Sequence, residues 1–126
     1  MTEAEVQATL HALLEEDGWS VTEQWKLGSK RIDVVAERSG ELNSYEVKVH
    51  DWRKASRQAA LNAPFFTRSY VVLPSNPRRR VEGTWFQSLG VGLIVLSETG
   101  ELVELIDAPR RELPLSLRQA HRMAEF

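Results

Sequence analysis

Two short segments of the sequence, RIDVVA and YEVKV, place charged residues inside runs that otherwise have the pattern of apolar strands. The first segment supplies Asp33, and the second supplies Glu46 and Lys48. Side chains alternate across a strand, so Glu46 and Lys48 share one face, and pairing of the two segments through the intervening turn would bring Asp33 and Glu46 together. Charged groups at positions where burial is expected carry a free-energy cost, which favours a functional role for all three.

The chemistry that these residues indicate follows from the repulsion between two neighbouring carboxylates, which a cation between them relieves. Oxygen ligands of this kind suit Mg²⁺ or Mn²⁺, which keep several waters and are often shared with substrate phosphates. Lys48 beside such an ion would stabilise negative charge on the reacting phosphate or help to activate the attacking water. The group therefore indicates phosphodiester hydrolysis, against the alternative of a charged strand face exposed to solvent. His50 follows on the same face and is interpreted as a polar residue at the strand end.

The composition excludes several kinds of site. The 126 residues include no cysteine, which rules out disulfides, thiolate metal sites and a cysteine nucleophile. A formal net charge of -2 gives no general attraction to nucleic acid, so such binding must come from local clusters of Arg and Lys. At 42% hydrophobic residues the chain can form a core, and we expect a single domain over residues 1–126. The charged, amphipathic first segment and the lack of a long apolar run predict a cytoplasmic protein without membrane contact.

The elements that must position these residues follow the order helix, three-stranded meander, helix, strand, helix and hairpin. Helical spacing of apolar residues predicts a first helix from Thr2 to Asp17, with Thr2 as its N-cap. Asp51 can cap a second helix that begins at Trp52 and that Pro64 disturbs. The other predicted segments are strands at 19–27, 30–38 and 43–50, buried strands at 68–73 and 91–96, a helix at 81–89, an edge strand at 101–106 and a terminal helix at 115–126. This order is typical of an α/β protein with a central mixed sheet flanked by helices.

Taken together, these segments resemble the PD-(D/E)XK nuclease superfamily, which has the restriction-endonuclease-like fold. RIDVVA carries the acidic residue of the motif as Asp33, and YEVKV carries the E-x-K as Glu46 and Lys48. The helix that follows carries Gln58 in RQAAL, similar to the Gln of archaeal Holliday-junction resolvases. The resemblance implies an αβββαβ core, here followed by a C-terminal hairpin and helix. It also implies a divalent ion held by Asp33, Glu46 and the Val47 carbonyl, with Lys48 near the attacking water and Gln58 orienting groups around the site.

The sequence departs from that family in the first helix. The family often has a Glu there that faces the metal, whereas the matching turn of this chain offers Gln7, with Glu3 and Glu5 nearby. A neutral side chain weakens a second metal position. The proline of the motif is also replaced, by Ile32, at a position that provides no ligand.

Basic residues close to the motif in sequence are candidates for phosphate contacts. They are Lys30 and Arg31 before Asp33, and Arg53, Lys54 and Arg57 at the start of the helix after Glu46. Phosphate contacts from these residues would offset the acidic net charge. The loop cluster Arg78–Arg80 suits either the backbone of a DNA duplex or a solvated surface.

We therefore expect a small nuclease that acts on DNA with Mg²⁺ or Mn²⁺, and with Asp33, Glu46, Lys48 and Gln58 in its site. A domain of this size offers little surface for an extended DNA footprint, so a homodimer or a partner subunit is expected to supplement it. Two alternatives stay open. One is a non-cleaving nucleic-acid-binding or regulatory module with the same fold, which Gln7 favours. The other is a structural or protein-interaction domain in which Glu46 and Lys48 pair internally.

Overall fold

The computed structural model describes residues 1–112, and its helices and strands follow the predicted order. The elements are α1 (Glu3–Glu16), β1 (Ser20–Leu27), β2 (Lys30–Arg38), β3 (Glu41–Val47), α2 (Trp52–Asn62), a short 3₁₀ helix (Ala63–Phe65), β4 (Arg68–Pro74), α3 (Gly83–Leu89), β5 (Gly92–Leu96) and β6 (Leu102–Ile106). The predicted terminal helix at 115–126 lies outside the described residues. Within residues 1–112, none of the helices has the length and apolar character needed to cross a bilayer.

A six-stranded mixed sheet forms the centre of the molecule, with its strands in the spatial order β1-β2-β3-β4-β5-β6. β1, β2 and β3 pair antiparallel as a meander, and β3, β4 and β5 pair parallel. Parallel pairing requires crossover connections, which α2 and α3 provide. β6 pairs antiparallel with β5 and completes the predicted hairpin at the edge. The predicted α/β class with a central mixed sheet is therefore confirmed.

The helix ends agree with the capping signals in the sequence. At the start of α1 the Thr2 side chain accepts a hydrogen bond from the backbone N–H of Glu5, and the Glu5 side chain accepts one from the backbone N–H of Thr2. Such a cap contributes about 1 kcal/mol of stability. At the start of α2 the Asp51 side chain accepts a hydrogen bond from the backbone N–H of Lys54. That helix ends at Asn62, and Pro64, which has no backbone N–H to continue the helical hydrogen bonds, lies in the 3₁₀ helix that follows.

α1 covers one face of the sheet, and α2 and α3 cover the other. On the first face, buried residues of α1 pack with buried strand residues: Val6, Leu10 and Leu14 against Val34, Ala36, Tyr45, Val47, Tyr70, Val72, Ile94 and Leu96. On the second face, a separate cluster joins the helices to the strands: Trp52, Ala55, Ala59 and Phe86 against Val71, Leu73 and Leu93. Full burial of one large apolar side chain contributes about 1.5–3 kcal/mol. Turning a strand over would expose several such side chains, so the two clusters determine which strand residues face each helix layer.

The end of β3 differs from the prediction. Tyr45 and Val47 pack in the cluster beneath α1, so the intervening Glu46 faces the α2 layer. The strand then ends at Val47 rather than at residue 50. Val49 also packs against that cluster, and the backbone N–H of Lys48 donates to the carbonyl of Val72, so the alternation continues past the strand end. The expectation that Glu46, Lys48 and His50 share the opposite face stays a prediction.

Candidate active site

Asp33 and Glu46 lie side by side on neighbouring antiparallel strands. The pairing of Val34 with Tyr45 in the β2–β3 ladder places Asp33 opposite Glu46. The two carboxyl groups are close enough for Asp33 to raise the pKa of Glu46, and the backbone N–H of Val47 donates to Asp33 Oδ2 over 2.9 Å. The structure thus brings together the two carboxyl groups that the sequence assigns to a common site.

The backbone around Asp33 departs from regular strand geometry. Regular alternation would place Ile32 and Val34 on one face. Val34 instead packs with α1, whereas Ile32 packs in a separate cluster with Trp25. On β1, directly across from Asp33, Gln24 has a φ of 53°, in a left-handed region that costs a non-glycine residue about 1–2 kcal/mol. The irregularity in both strands therefore coincides with the carboxyl pair.

The environment of Glu46 favours its protonated form. Glu46 is only 7% exposed, and Asn62 Nδ2 donates a hydrogen bond to its Oε1 over 2.9 Å. Burial of the carboxyl group, followed by its contact with Asp33, raises the pKa of Glu46 to about 8, while Asn62 and the charge of Lys48 act in the opposite direction. At neutral pH the pair therefore retains a proton, and a divalent cation between the two groups would take its place.

The donor set of the pair fits a hard divalent cation. Within residues 1–112, no group of three or more His, Cys, Asp and Glu side chains is arranged to hold a metal ion. An ion held by the carboxylates of Asp33 and Glu46 would complete its coordination with water, backbone or substrate oxygens. This pattern is typical of Mg²⁺, which is often bound by one or two carboxylates and keeps several waters, and not of a structural zinc site.

An open cleft of about 290 Å³ borders Glu46 and contains several of the predicted site residues. Its lining residues are Lys30, Arg31, Glu46, Gln58, Leu61 and Asn62. Gln58 and Asn62 are four residues apart on α2 and therefore lie on the same face of the helix. Asn62 is absent from the predicted site residues, although its spacing from Gln58 is a signal that could have identified it.

Lys48 lies next to the carboxyl pair and also contacts α1. Its Nζ is 3.9 Å from Oε1 of Glu3, and its positive charge lowers the pKa of Glu46. The residue expected to face the metal from the first helix, Gln7, donates instead from Nε2 to Oε1 of Glu23 on β1, over 2.6 Å. Glu3, one turn earlier, is thus the residue of α1 that reaches the motif.

The predicted phosphate-binding residues divide between two places. Lys30 and Arg31 line the cleft at Glu46, whereas Arg53, Lys54 and Arg57 belong to the first half of α2. Arg53 donates to Glu82 over 3.0 Å, and its guanidinium group lies 4.3 Å from the centroid of the Trp52 ring. With a rise of about 1.5 Å per residue, Arg53 lies about 13 Å along the helix from Asn62. The basic residues therefore do not form one cluster around the carboxyl pair, and contact of the α2 group with DNA stays a prediction.

Two other predicted features lie at the carboxyl ends of the parallel strands. Arg79 donates to the carbonyl of Pro74 over 2.6 Å and to that of Val49 over 2.8 Å. This member of the Arg78–Arg80 cluster therefore holds the loop against the strand ends. His50 is exposed and lines a separate cleft of about 410 Å³ that also includes Arg79.

Comparison with known proteins supports the fold. The sequence matches no protein-family model and no curated protein. Among solved structures, it is similar to the crystal structure of AF1548, a protein of unknown function, with a TM-score of 0.57 and 21% identity over 71% of this chain and 55% of that chain. It is also similar to SfsA from Pyrococcus furiosus, solved in complex with Ca²⁺, with a TM-score of 0.52 and 13% identity over 86% of this chain and 65% of that chain. At these identities the similarity establishes the fold alone, and this chain spans less than two thirds of either protein.

Proposed function

We propose that the protein is a divalent-metal-dependent nuclease that hydrolyses phosphodiester bonds in DNA, with Mg²⁺ or Mn²⁺ as its cofactor. The observation that supports this function is the close pair of Asp33 and Glu46 on neighbouring strands, which borders an open cleft edged by Lys30 and Arg31. The resemblance of this pair, with Lys48, to the PD-(D/E)XK motif points to the same activity. SfsA, which has a similar fold, was solved with a bound divalent cation.

In this proposal the carboxylates of Asp33 and Glu46, with the carbonyl of Val47, hold the ion. When bound, the ion polarises the scissile phosphate and the attacking water. The hydrogen bond from Asn62 fixes the Glu46 carboxylate, and the backbone N–H of Val47 fixes that of Asp33. Both ligands are thus oriented before an ion binds, which lowers the reorganisation that binding requires.

The remaining residues of the site act on the substrate. Lys48 provides positive charge beside the reacting phosphate, and Gln58 orients a phosphate oxygen or a water through its amide. Lys30 and Arg31 bind phosphates on either side of the scissile bond from the edge of the cleft. Because few cations line the cleft, we propose that a second copy or a partner subunit extends the DNA-binding surface.

The contact of Lys48 with Glu3 favours a second candidate function. An ammonium group 3.9 Å from a carboxylate of α1 is partly neutralised, which weakens its action on a phosphate or a water. A protein with this contact maintained would bind the ion and the DNA without cutting the strand. The second candidate is therefore a non-cleaving nucleic-acid-binding module that uses the same residues.

The test is incubation of the purified protein with labelled duplex, single-stranded, flap and four-way-junction DNA, in Mg²⁺, in Mn²⁺ and in chelator. We expect cleavage of at least one substrate with metal and none with chelator. Asp33→Asn is expected to abolish cleavage, and Lys48→Ala to slow it by about 10²–10³-fold, the effect of losing one preorganised electrostatic group. The matched control is Glu104→Gln on β6, a carboxyl group outside the cleft, which is expected to retain full activity.

Other outcomes separate the candidates. If no substrate is cut in either metal but Mn²⁺ still binds through Asp33, the nuclease proposal fails and the non-cleaving module replaces it. If neither metal nor DNA binds, Glu46 and Lys48 have only a structural role, and both candidates fail.

A further inference from the structure

A second cleft continues from the first and has a different chemical character. Its lining residues are Leu27, Gly28, Ser29, Lys30, Leu61 and Phe65, around a volume of about 460 Å³. It shares Lys30 and Leu61 with the cleft at Glu46. The side chain of Leu61 is 60% exposed and that of Phe65 is 40% exposed. The apolar cleft therefore adjoins the cleft at Glu46, and Lys30 lies at the boundary between the two.

The local structure explains why these apolar side chains face solvent. The 3₁₀ helix that contains Pro64 turns the chain after α2, and it leaves Phe65 outside while the next residue, Phe66, is fully buried. Across the cleft, Gly28 forms the β1–β2 turn with a φ of 62°, and an added Cβ would meet no atom within 4 Å. There is therefore open space beside Gly28, which lines the cleft.

We infer that this apolar cleft receives an unpaired base of the DNA strand, so that the substrate is single-stranded or frayed DNA; the inference rests on the proposed nuclease function. Every base has a π-face that stacks on an aromatic ring, and Phe65 presents such a ring to solvent. Leu27 and Leu61 offer aliphatic surface to the same base. With the phosphate of that nucleotide near Lys30, the reacting phosphate of the neighbouring nucleotide reaches the carboxyl pair.

The charges around the cleft favour a single strand over a duplex. A duplex carries phosphates on both strands, and its binding depends on cations that neutralise them. Lys30 is the one charged residue among those that line the apolar cleft. A second phosphate backbone would therefore lie against uncharged surface, whereas a single strand places its phosphates near Lys30 and Arg31 and its base on the apolar side chains.

The experiment measures binding by fluorescence anisotropy in chelator, so that affinity is determined without cleavage. The ligands are a labelled oligothymidine, an oligonucleotide of equal length in which abasic sites replace the bases, and a blunt duplex. The variants are Phe65→Ala, Phe65→Tyr, which keeps an aromatic ring, and Leu105→Ala. Leu105 is the control because it is an apolar side chain on β6 that is also exposed, at 60%, and it lines neither of the two clefts.

We expect Phe65→Ala to weaken oligothymidine binding by about 5- to 150-fold, the range measured for loss of one stacked base. The same variant should change binding of the abasic oligonucleotide by less than about twofold, because no base is left to stack. Phe65→Tyr should restore oligothymidine binding, Leu105→Ala should change neither ligand, and the duplex should bind more weakly than oligothymidine. A purely structural role of Phe65 would weaken both oligonucleotides equally.

Three outcomes would overturn the inference: equal losses for the thymidine and abasic ligands, no loss for either, or conversion of a dimer into a monomer in sedimentation with DNA affinity unchanged. The last result would identify the cleft as an interface between copies of the chain. The nuclease proposal is judged separately by metal-dependent cleavage. If the predicted selectivity is found and no DNA is cut, base binding stands and the nuclease function fails; if DNA is cut without that selectivity, this inference alone fails.

Discussion

Two pairs of contacting carboxyl groups within residues 1–112 differ in what surrounds them. Asp33 and Glu46 meet inside the sheet, where Glu46 is buried and faces α2. Glu104 and Asp107 meet at the end of β6, where both are exposed. In each pair the pKa of the glutamate is raised, by loss of hydration and by contact with the neighbouring aspartate. Electrostatic repulsion between carboxyl groups is therefore common to both places.

The difference shows that proximity of carboxyl groups does not by itself identify a site. Glu104 accepts a hydrogen bond from the Tyr70 hydroxyl over 3.0 Å, and the positive charge of Arg68 lowers its pKa. Water also reaches this pair and can solvate both groups. Glu46 has little access to water, so its ionised form depends on Asn62, on Lys48 and on whatever cation binds. The buried pair is thus the one whose state a bound divalent ion would change most.

Cation binding should give the largest contrast between the two pairs. We expect calorimetric titration to show one Mn²⁺ bound per chain, with binding lost in Asp33→Asn and unchanged in Asp107→Asn. At pH 7 the ion displaces the proton that the pKa of Glu46, near 8, retains on the pair. The observed enthalpy should therefore vary between buffers of different ionisation enthalpy, with a slope of about one proton released per ion. Equal loss of Mn²⁺ binding in both variants would show that the ion is not held specifically by Asp33 and Glu46.

The dependence of stability on pH should give the next largest contrast. The folded-state pKa of Glu46 lies near 8, above its ordinary value of 4.5, so the folded protein binds more protons than the unfolded chain between these values. The free energy of unfolding in chelator should therefore fall as the pH rises from 5 to 8, by about 3 kcal/mol at 1.36 kcal/mol per pH unit. Urea titrations at a series of pH values measure this slope.

The matched variants for this measurement are Glu46→Gln and Glu104→Gln. Glu46→Gln removes the titrating group, so its stability should stay nearly constant over that range and exceed the wild-type value at pH 8. Glu104→Gln should keep the slope of the wild type, because water and Arg68 compensate the ionised form of that group. If Glu104→Gln instead removed the fall in the free energy of unfolding with pH, the exposed pair would be the one whose ionisation destabilises the fold.

The carboxyl pair was predictable from sequence because it depends on local geometry. Ser39 and Gly40, both with positive φ, form the two-residue turn between β2 and β3, and this turn fixes the register of the hairpin. Once the register is fixed, alternation places Asp33 and Glu46 on a common face. The caps at Thr2 and Asp51 were predictable for the same reason, since each depends on a few neighbouring residues.

The features that the sequence did not reveal depend on how helices cross the sheet. Asn62 reaches Glu46 because the end of α2, not its start, lies over the carboxyl pair. That crossing also carries Arg53 away from the cleft to Glu82. Lys48 meets Glu3 because the start of α1 lies beside the end of β3. Sequence spacing gives the face of a helix on which a residue lies, but the packing of large side chains sets the crossing angle.

Removal of one hydrogen-bond donor from each pair should give the smallest contrast. Asn62→Ala takes away the donor to buried Glu46, and Tyr70→Phe takes away the donor to exposed Glu104. An unmet buried acceptor costs about 1–3 kcal/mol, and more once it is charged, so the loss in Asn62→Ala should grow between pH 6 and pH 9 as Glu46 ionises. Tyr70→Phe should cost about 1 kcal/mol or less at both pH values, because water replaces the lost donor.

Packing lost with the Asn62 side chain is independent of pH. In urea titrations, the growth with pH of the stability difference between wild type and Asn62→Ala therefore isolates the hydrogen bond. A loss in Asn62→Ala that stays the same at both pH values would show that Asn62 supports the fold and does not stabilise the ionised form of Glu46.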